Sequence, residues 1–189
     1  MERFKDRLGA LVPYYDEQGG NATLIFTAGG EVLPDRRTLK WNLRRLARLY
    51  SVDLEATRGN LREYFHYSQG LPLPLSPSLV LVPLKTRRAV GKNDGCHSYV
   101  NPAVIVSLAA AAGGGIERSS ILLPGDHLLP CRYTLRTVQK RLRDGATALE
   151  RHRALLRPPK GPDPDGYSAL LKDLARVLLK SFGDGGEEG

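Results

Sequence analysis

The chain has little of what stabilises small secreted domains or builds metal sites. It contains two cysteines, Cys96 and Cys131, and four histidines among its 189 residues. Two cysteines do not make a disulfide framework, and the cysteines and histidines show neither the CxxC nor the HxxxH spacing of a zinc site. We therefore expect free thiols in a reducing compartment, with no bound metal and no other cofactor.

Apolar runs long enough to span a bilayer are also missing from the sequence. A spanning helix needs roughly 20 apolar residues, whereas the AAAAGGG tract at residues 109–115 is short and broken by glycine. Residues 1–20 contain no long apolar core and no small-residue cleavage site, and there is no lipidation signal. These features predict a cytoplasmic protein that has no membrane partner.

Motifs that carry catalysis are absent from the sequence as well. The glycines at residues 113–115 follow alanines and lack the GK[ST] ending of a phosphate-binding loop. Four acidic residues lie near prolines, glycines or basic residues, where helix caps and surface ion pairs account for them: Asp144, Glu150, Asp163 and Asp165. Without a nucleophile beside a base, or a pair of acids, we predict that the protein is not an enzyme.

Positive charge is what the chain has in excess. The net charge is +8 and most of the cations are arginines, whose planar guanidinium suits phosphate better than the point charge of lysine. With 41% hydrophobic and 25% charged residues, the composition is that of a folded soluble domain. Nucleic acid is therefore the first partner to consider.

Alternating apolar residues and turn motifs predict three β-hairpins. The first covers Ala22–Leu33 around a turn at Ala28–Gly30, and the last covers Ser119–Leu129 around Pro124-Gly125-Asp126. Between them, the apolar run that starts at Leu79 leads through a basic turn into a second apolar strand, Tyr99 to Val106. Antiparallel hairpins therefore dominate the predicted core.

Apolar residues at helical spacing predict three helices, and two further segments are predicted as extended. A basic amphipathic helix is expected at residues 38–50, a second helix at 135–155 and a third at 167–182. Residues 61–65 have the pattern of a strand, and the proline-rich residues 71–78 that of a sheet edge or a crossing loop. The predicted class is α+β, mainly β, with a C-terminal helical extension.

The same patterns predict the domain organisation. Residues 1–20 are predicted as an N-terminal extension and residues 21–157 as the core domain. Residues 158–166 have the composition of a proline-rich linker, and residues 167–189 that of a helix followed by a frayed acidic tail.

The basic turn of the second hairpin is the strongest functional signal. Lys85, Arg87, Arg88 and Lys92 follow a strand that must be buried, so we expect them to be held out for phosphate contact rather than to be only a solvated loop. Two arginines at the start of a later helix, Arg132 and Arg136, are expected to add to the grip on phosphate. The cations of the helix at residues 38–50 could equally cover the outer face of a core-packed helix.

The order of these segments resembles the ComK family of competence transcription factors and, more distantly, LytTR-type DNA-binding domains. The resemblance rests on LVLVPLKTRR, GCHSYVNPAVIVSL, LLPGDHLLP and CRYTLRTVQKRL, and it covers roughly residues 21–182. It implies a LytTR-like β core whose loops, not a recognition helix, enter the major groove. By resemblance, the loop around Cys96, His97 and Ser98 touches DNA, and Arg132 contacts a base or a phosphate. Ser98 stands where the LytTR pattern often has Asn.

The resemblance also implies partners. Family members bind paired AT-rich promoter boxes as homo-oligomers, and their C-terminal region is the target of a proteolytic adaptor. By resemblance, the protein would be a bacterial transcriptional activator of the competence type.

Together, the residues and the resemblance predict a sequence-specific transcriptional regulator that binds double-stranded DNA. Two alternatives remain open from the sequence: a basic module that binds RNA or ribosomes without sequence preference, and an adaptor that binds a protein through its terminal helices. Few aromatic residues lie outside expected core positions, which disfavours single-stranded RNA. The predicted DNA-binding residues are Lys85, Arg87, Arg88, Lys92, Asn93, His97, Ser98, Arg132 and Arg136.

Overall fold

The computed structural model describes residues 2–91, 94–111, 115–157 and 171–175. The chain divides into two units, Met1–Ala154 and Leu155–Gly189. Three helices follow the order α1 (Leu39–Leu49), α2 (Leu54–Phe65) and α3 (Leu135–Leu156), and residues 171–175 are also helical. The strands are β1 (Leu8–Tyr15), β2 (Asn21–Thr27), β3 (Val32–Asp35), β4 (Leu73–Ser76), β5 (Leu79–Lys85), β6 (His97–Val100), β7 (Ser107–Ala110), β8 (Ser119–Leu123) and β9 (His127–Cys131).

The strands form two antiparallel sheets. One has six strands in the order β3-β2-β1-β6-β5-β4, and the other has three in the order β7-β8-β9. The prediction of an α+β fold that is mainly β is therefore confirmed. The LytTR-like arrangement of these strands stays a prediction.

Both faces of the six-stranded sheet are buried. One face packs against α1, with Leu11 and Leu81 among the side chains that meet Leu46 of the helix. The other face packs against the small sheet and α3, with Val82 and Val100 in one core with Ile121, Cys131 and Val138. Because β5 is covered on both sides, its sequence is a continuous apolar run from Leu79 to Leu84 rather than an alternation.

Strand β1 lies in the middle of the sheet, which differs from the prediction of an extension at residues 1–20. It pairs with β2 on one side and β6 on the other. A β-bulge between Leu8 and Ala10 lets Leu8 and Leu11, three positions apart, reach the same core. The bulge breaks the two-residue period of a strand, so the alternation that identifies a strand is interrupted in this segment.

Helices α1 and α3 confirm the predictions for residues 38–50 and 135–155. Thr38 caps α1 by accepting a hydrogen bond from Trp41 N–H, and Thr134 accepts one from Thr137 N–H at the start of α3. Helix α2 contradicts the prediction of a strand at residues 61–65. The Asp53 side chain caps α2 by accepting hydrogen bonds from Glu55 N–H and Ala56 N–H. Because only Leu61 of this helix is buried, the sequence shows little of the apolar periodicity that identifies a helix.

The three hairpins are present, with one difference in length. Gly30 has φ of +85°, and Gly125 and Asp126 have φ of +79° and +59°, as tight turns between paired strands require. Strand β6 ends at Val100, not at Val106, because Asn101 caps a short 3-10 helix at Pro102–Val104. Strand β4 forms the sheet edge expected for residues 71–78.

Candidate nucleic-acid interface

Three cationic residues from separate parts of the chain surround one open depression of about 390 Å³. Arg132 N–H donates a 2.7 Å hydrogen bond to the carbonyl of Lys85, and Arg118 N–H donates one to the carbonyl of Cys131. The first bond joins the end of β5 to the segment between β9 and α3, and the second joins the residue before β8 to the end of β9. We call Lys85, Arg118 and Arg132 the basic cluster; Gly115, Ile116 and Tyr133 complete the lining of the depression.

The cationic side chains here are unneutralised. Within the described residues, the side chains of the basic cluster make no ion pair, hydrogen bond or ring contact. The same holds for Arg88 and Arg136, which are exposed and lie three and four residues beyond Lys85 and Arg132. Four of the nine predicted residues, together with Arg118, thus leave guanidinium or ammonium groups available for an anion.

His97 supports this surface from within. Its Nε2 lies 3.1 Å from the Tyr133 hydroxyl, and its Nδ1 lies 3.4 Å from Cys96 Sγ. Burial, with smaller effects from the charges of Lys85 and Arg141, lowers the pKa of His97, which favours the neutral form of the ring. Both ring nitrogens are engaged, and His97 therefore holds Tyr133 in place rather than projecting toward a base.

Ser98 departs from the prediction. The residue is fully buried, and its hydroxyl lies 2.6 Å from that of Thr86. In β6 the side chains alternate between faces, and Ser98 falls on an inward position opposite Leu84. A nucleic acid cannot reach it in this structure.

Arg87 is also engaged inside the protein rather than held out at a loop tip. Its Nε donates to the Gly95 carbonyl at 2.6 Å, its Nη2 donates to Asn21 Oδ1, and its guanidinium stacks 4.3 Å from the Tyr15 ring. Tyr15 and Asn21 in turn both donate to Asp94. Asp94, the acidic residue within the loop, therefore positions Arg87 indirectly, through Tyr15 and Asn21.

Two predicted residues, Lys92 and Asn93, lie outside the described residues. Conversely, Arg118 belongs to the basic cluster and was missed by sequence reasoning. It stands alone between Glu117 and Ser119, with no cationic neighbour to mark it. Only the pairing of β8 with β9 brings it beside Arg132.

The cations of α1 are divided between two roles. Arg45 forms an ion pair with Glu2 at 2.8 Å, and Arg37, which precedes the helix, stacks 4.2 Å from the Trp41 ring. Lys40 and Arg44 line a separate cleft against the sheet. None of these residues lines the depression at the basic cluster.

Neither a metal cluster nor a membrane-spanning helix emerges from the described residues. Groups of three or more His, Cys, Asp or Glu side chains that could hold a metal are absent there, and no described helix is long and apolar enough to cross a bilayer. Comparison of the chain with family models, with curated proteins and with solved structures finds no match.

Proposed function

We propose that this protein is a cytoplasmic bacterial transcriptional regulator of the ComK type that binds double-stranded DNA through its basic cluster. The observation that carries the proposal is the convergence of Lys85, Arg118 and Arg132 on one open depression, with no partner for their side chains among the described residues. Free cations on a rigid β framework are what binding to a phosphate backbone requires, since each contact releases counterions from the DNA. The resemblance to ComK supports the choice of DNA.

In the proposed mechanism, the cations have two roles, which depend on how firmly each residue is held. Arg132 is fixed through its main chain to Lys85 and lies two residues before Thr134, which caps α3. An arginine held beside the start of a helix can bind phosphate or donate two hydrogen bonds to the edge of a guanine. Lys85, Arg88, Arg118 and Arg136 would neutralise phosphates and set the register, while sequence-dependent bending adds specificity.

Fluorescence anisotropy with three labelled probes tests the proposal: an AT-rich duplex, a scrambled duplex and a single-stranded RNA. Arg118→Ala and Arg132→Ala should each weaken duplex binding by about tenfold. The control is Arg62→Ala, which removes an exposed arginine from α2, outside the lining of the depression.

Equal losses for Arg62→Ala and Arg132→Ala would show that only net charge matters and would overturn the interface. Tighter binding of the RNA than of either duplex would replace the DNA assignment by the RNA-binding alternative.

A further inference from the structure

A second concave site lies between the six-stranded sheet and the starts of α1 and α2. This cleft has a volume of about 810 Å³. That size falls in the range of small-molecule sites. None of the described residues lines both this cleft and the depression at the basic cluster.

Four cationic residues from three segments line the cleft: Lys40 and Arg44 of α1, Arg58 of α2 and Arg87 of the loop after β5. The one carboxylate in the lining is Glu55, which lies 3.7 Å from Arg58. Lys40 and Arg44 have no side-chain partner within the described residues. Like charges gathered in a concave surface focus its electrostatic potential and attract anions.

Arg87, which lines the cleft, is already held in place by contacts inside the protein. Gly95, Asn21 and Tyr15 hold its guanidinium through Nε, Nη2 and the ring face. Its remaining terminal nitrogen, Nη1, is buried and has no hydrogen-bond partner among the described residues. A buried guanidinium nitrogen without an acceptor is uncommon in folded proteins, and an anionic ligand oxygen would satisfy it.

The rest of the lining is mixed. Leu39, Leu43 and Leu54 come from the helices and Pro13 and Ala22 from β1 and β2, and they are joined by the polar residues Asn21, Thr38, His97 and Tyr99. A site that combines apolar and polar contacts with a few convergent cations suits a ligand that is charged at one end and carries a ring at the other. A nucleotide has this chemistry, whereas a simple inorganic ion uses only the cationic half.

We propose that the cleft between α1, α2 and the six-stranded sheet binds a small phosphate-bearing ligand of nucleotide type. Lys40, Arg44 and Arg87 bind its phosphate groups, and the leucines contact its ring. This inference does not rest on DNA binding, because no described residue lines both sites.

Isothermal titration of the full chain tests the proposal with ATP, tripolyphosphate and adenosine as probes. ATP should bind saturably with one site per chain, tripolyphosphate more weakly, and adenosine not measurably over the same range. Lys40→Gln and Arg44→Gln should each weaken ATP binding by about tenfold. Both side chains are exposed, so these variants should fold normally.

The matched control is Arg48→Gln, which removes the same charge one turn further along α1, outside the cleft lining. An Arg48→Gln loss as large as that of Arg44→Gln would overturn the site, as would adenosine binding equal to that of ATP or the absence of saturable ATP binding. A duplex that displaces ATP, together with equal weakening of duplex and ATP binding by Arg44→Gln, would assign the cleft to the nucleic-acid surface and overturn the small-molecule proposal.

Discussion

Gly145 of α3 lies directly against Val82 of β5, so close that a Cβ atom at position 145 would stand 2.5 Å from Val82 Cγ2. The glycine is fully enclosed where the helix crosses the sheet. Its missing side chain therefore sets the distance between α3 and the six-stranded sheet. Since Arg132 and Arg136 precede or begin this helix, the contact also helps to position the basic cluster.

Gly145→Ala should destabilise the protein although alanine favours helices. The added methyl group forces a shift that costs about 1–3 kcal/mol, against a gain in helix propensity of about 1 kcal/mol. Gly59→Ala is the matched control, because Gly59 lies inside α2 with no heavy atom within 4 Å of its would-be Cβ. That variant should be more stable by about 0.5–1 kcal/mol. Urea unfolding measures both.

A double-mutant cycle identifies the cause. If the clash with Val82 is responsible, Val82→Ala combined with Gly145→Ala should be less destabilised than the sum of the single changes. If the two changes in the free energy of unfolding simply add, the strain lies at a contact other than the one with Val82.

Asp94→Asn should loosen the basic hairpin loop. The carboxylate accepts hydrogen bonds from Tyr15, Asn21 and the N–H groups of Val90 and Gly91, and these bonds hold the pKa of Asp94 well below its usual range. Amide hydrogen exchange should be faster at Val90 and Gly91 in the variant. Glu31→Gln, which alters an exposed carboxylate, should leave both rates unchanged.

The same bonds predict a pH dependence. A carboxyl group whose pKa is lowered by folding stabilises the loop above its unfolded pKa of about 3.9, and this contribution is lost as the pH falls toward the folded pKa. The wild-type loop should lose protection below about pH 4, whereas the Asn variant should lack this step. A step of equal size in both proteins would contradict the role of Asp94.

Tyr67→Phe should destabilise the protein by about 1–2 kcal/mol. Its hydroxyl donates a 2.9 Å hydrogen bond to Asp144 Oδ2, and burial together with this bond raises the pKa of Tyr67 to about 12. A raised pKa contributes stability that is complete below the unfolded value of about 10 and is lost as the pH rises through the folded value. The fall of stability above pH 10 should therefore be less steep in the variant.

Tyr64→Phe provides the comparison, since Tyr64 is exposed and its hydroxyl has no hydrogen-bond partner within the described residues. A pH profile for Tyr67→Phe that matches those of wild type and Tyr64→Phe would show that Asp144 does not hold the phenol.

Arg132→Ala and Arg88→Ala should differ in their effects on DNA selection. Arg132 is fixed beside Lys85, so its loss should relax the preference at one base position, whereas loss of the exposed Arg88 should weaken all sequences alike. If about six phosphates are neutralised, log affinity should fall with log salt at a slope near −5, and Arg88→Ala should reduce that slope by about one. Selection from random duplexes followed by titration at several salt concentrations measures both.

Identical losses for the two variants on selected and scrambled duplexes would contradict these separate roles. A wild-type slope near −1 would argue against an extended phosphate interface.

Sequence reasoning worked where structure depends on neighbouring residues. The hairpin turns at Gly30 and Gly125 were predictable because their backbone angles favour glycine, and α1 because Thr38 caps an amphipathic run. It failed for α2, whose single buried residue, Leu61, left almost no periodic signal.

For the site, sequence reasoning found the cations but not their surroundings. The side chains of Lys85, Arg88, Arg132 and Arg136 have no partner among the described residues, and their contact with DNA stays a prediction. Ser98 and Arg87 are engaged inside the protein, because Thr86 and Asn21 hydrogen-bond to them across the sheet. Asn21 is distant from Arg87 in the sequence, and no sequence pattern marks Thr86 as the partner of Ser98.

Residue order and chemistry along the chain were enough to establish the strand-rich class, the turns, the ends of α1 and the excess of arginine. Each of these follows from backbone preferences and periodicity over a few residues. Long-range pairing decided that β1 runs through the middle of the sheet, that Arg118 joins Lys85 and Arg132, and that a cationic cleft opens beside α1. Such contacts join residues far apart in the chain, and they form only when two sheets and three helices bury their apolar faces together.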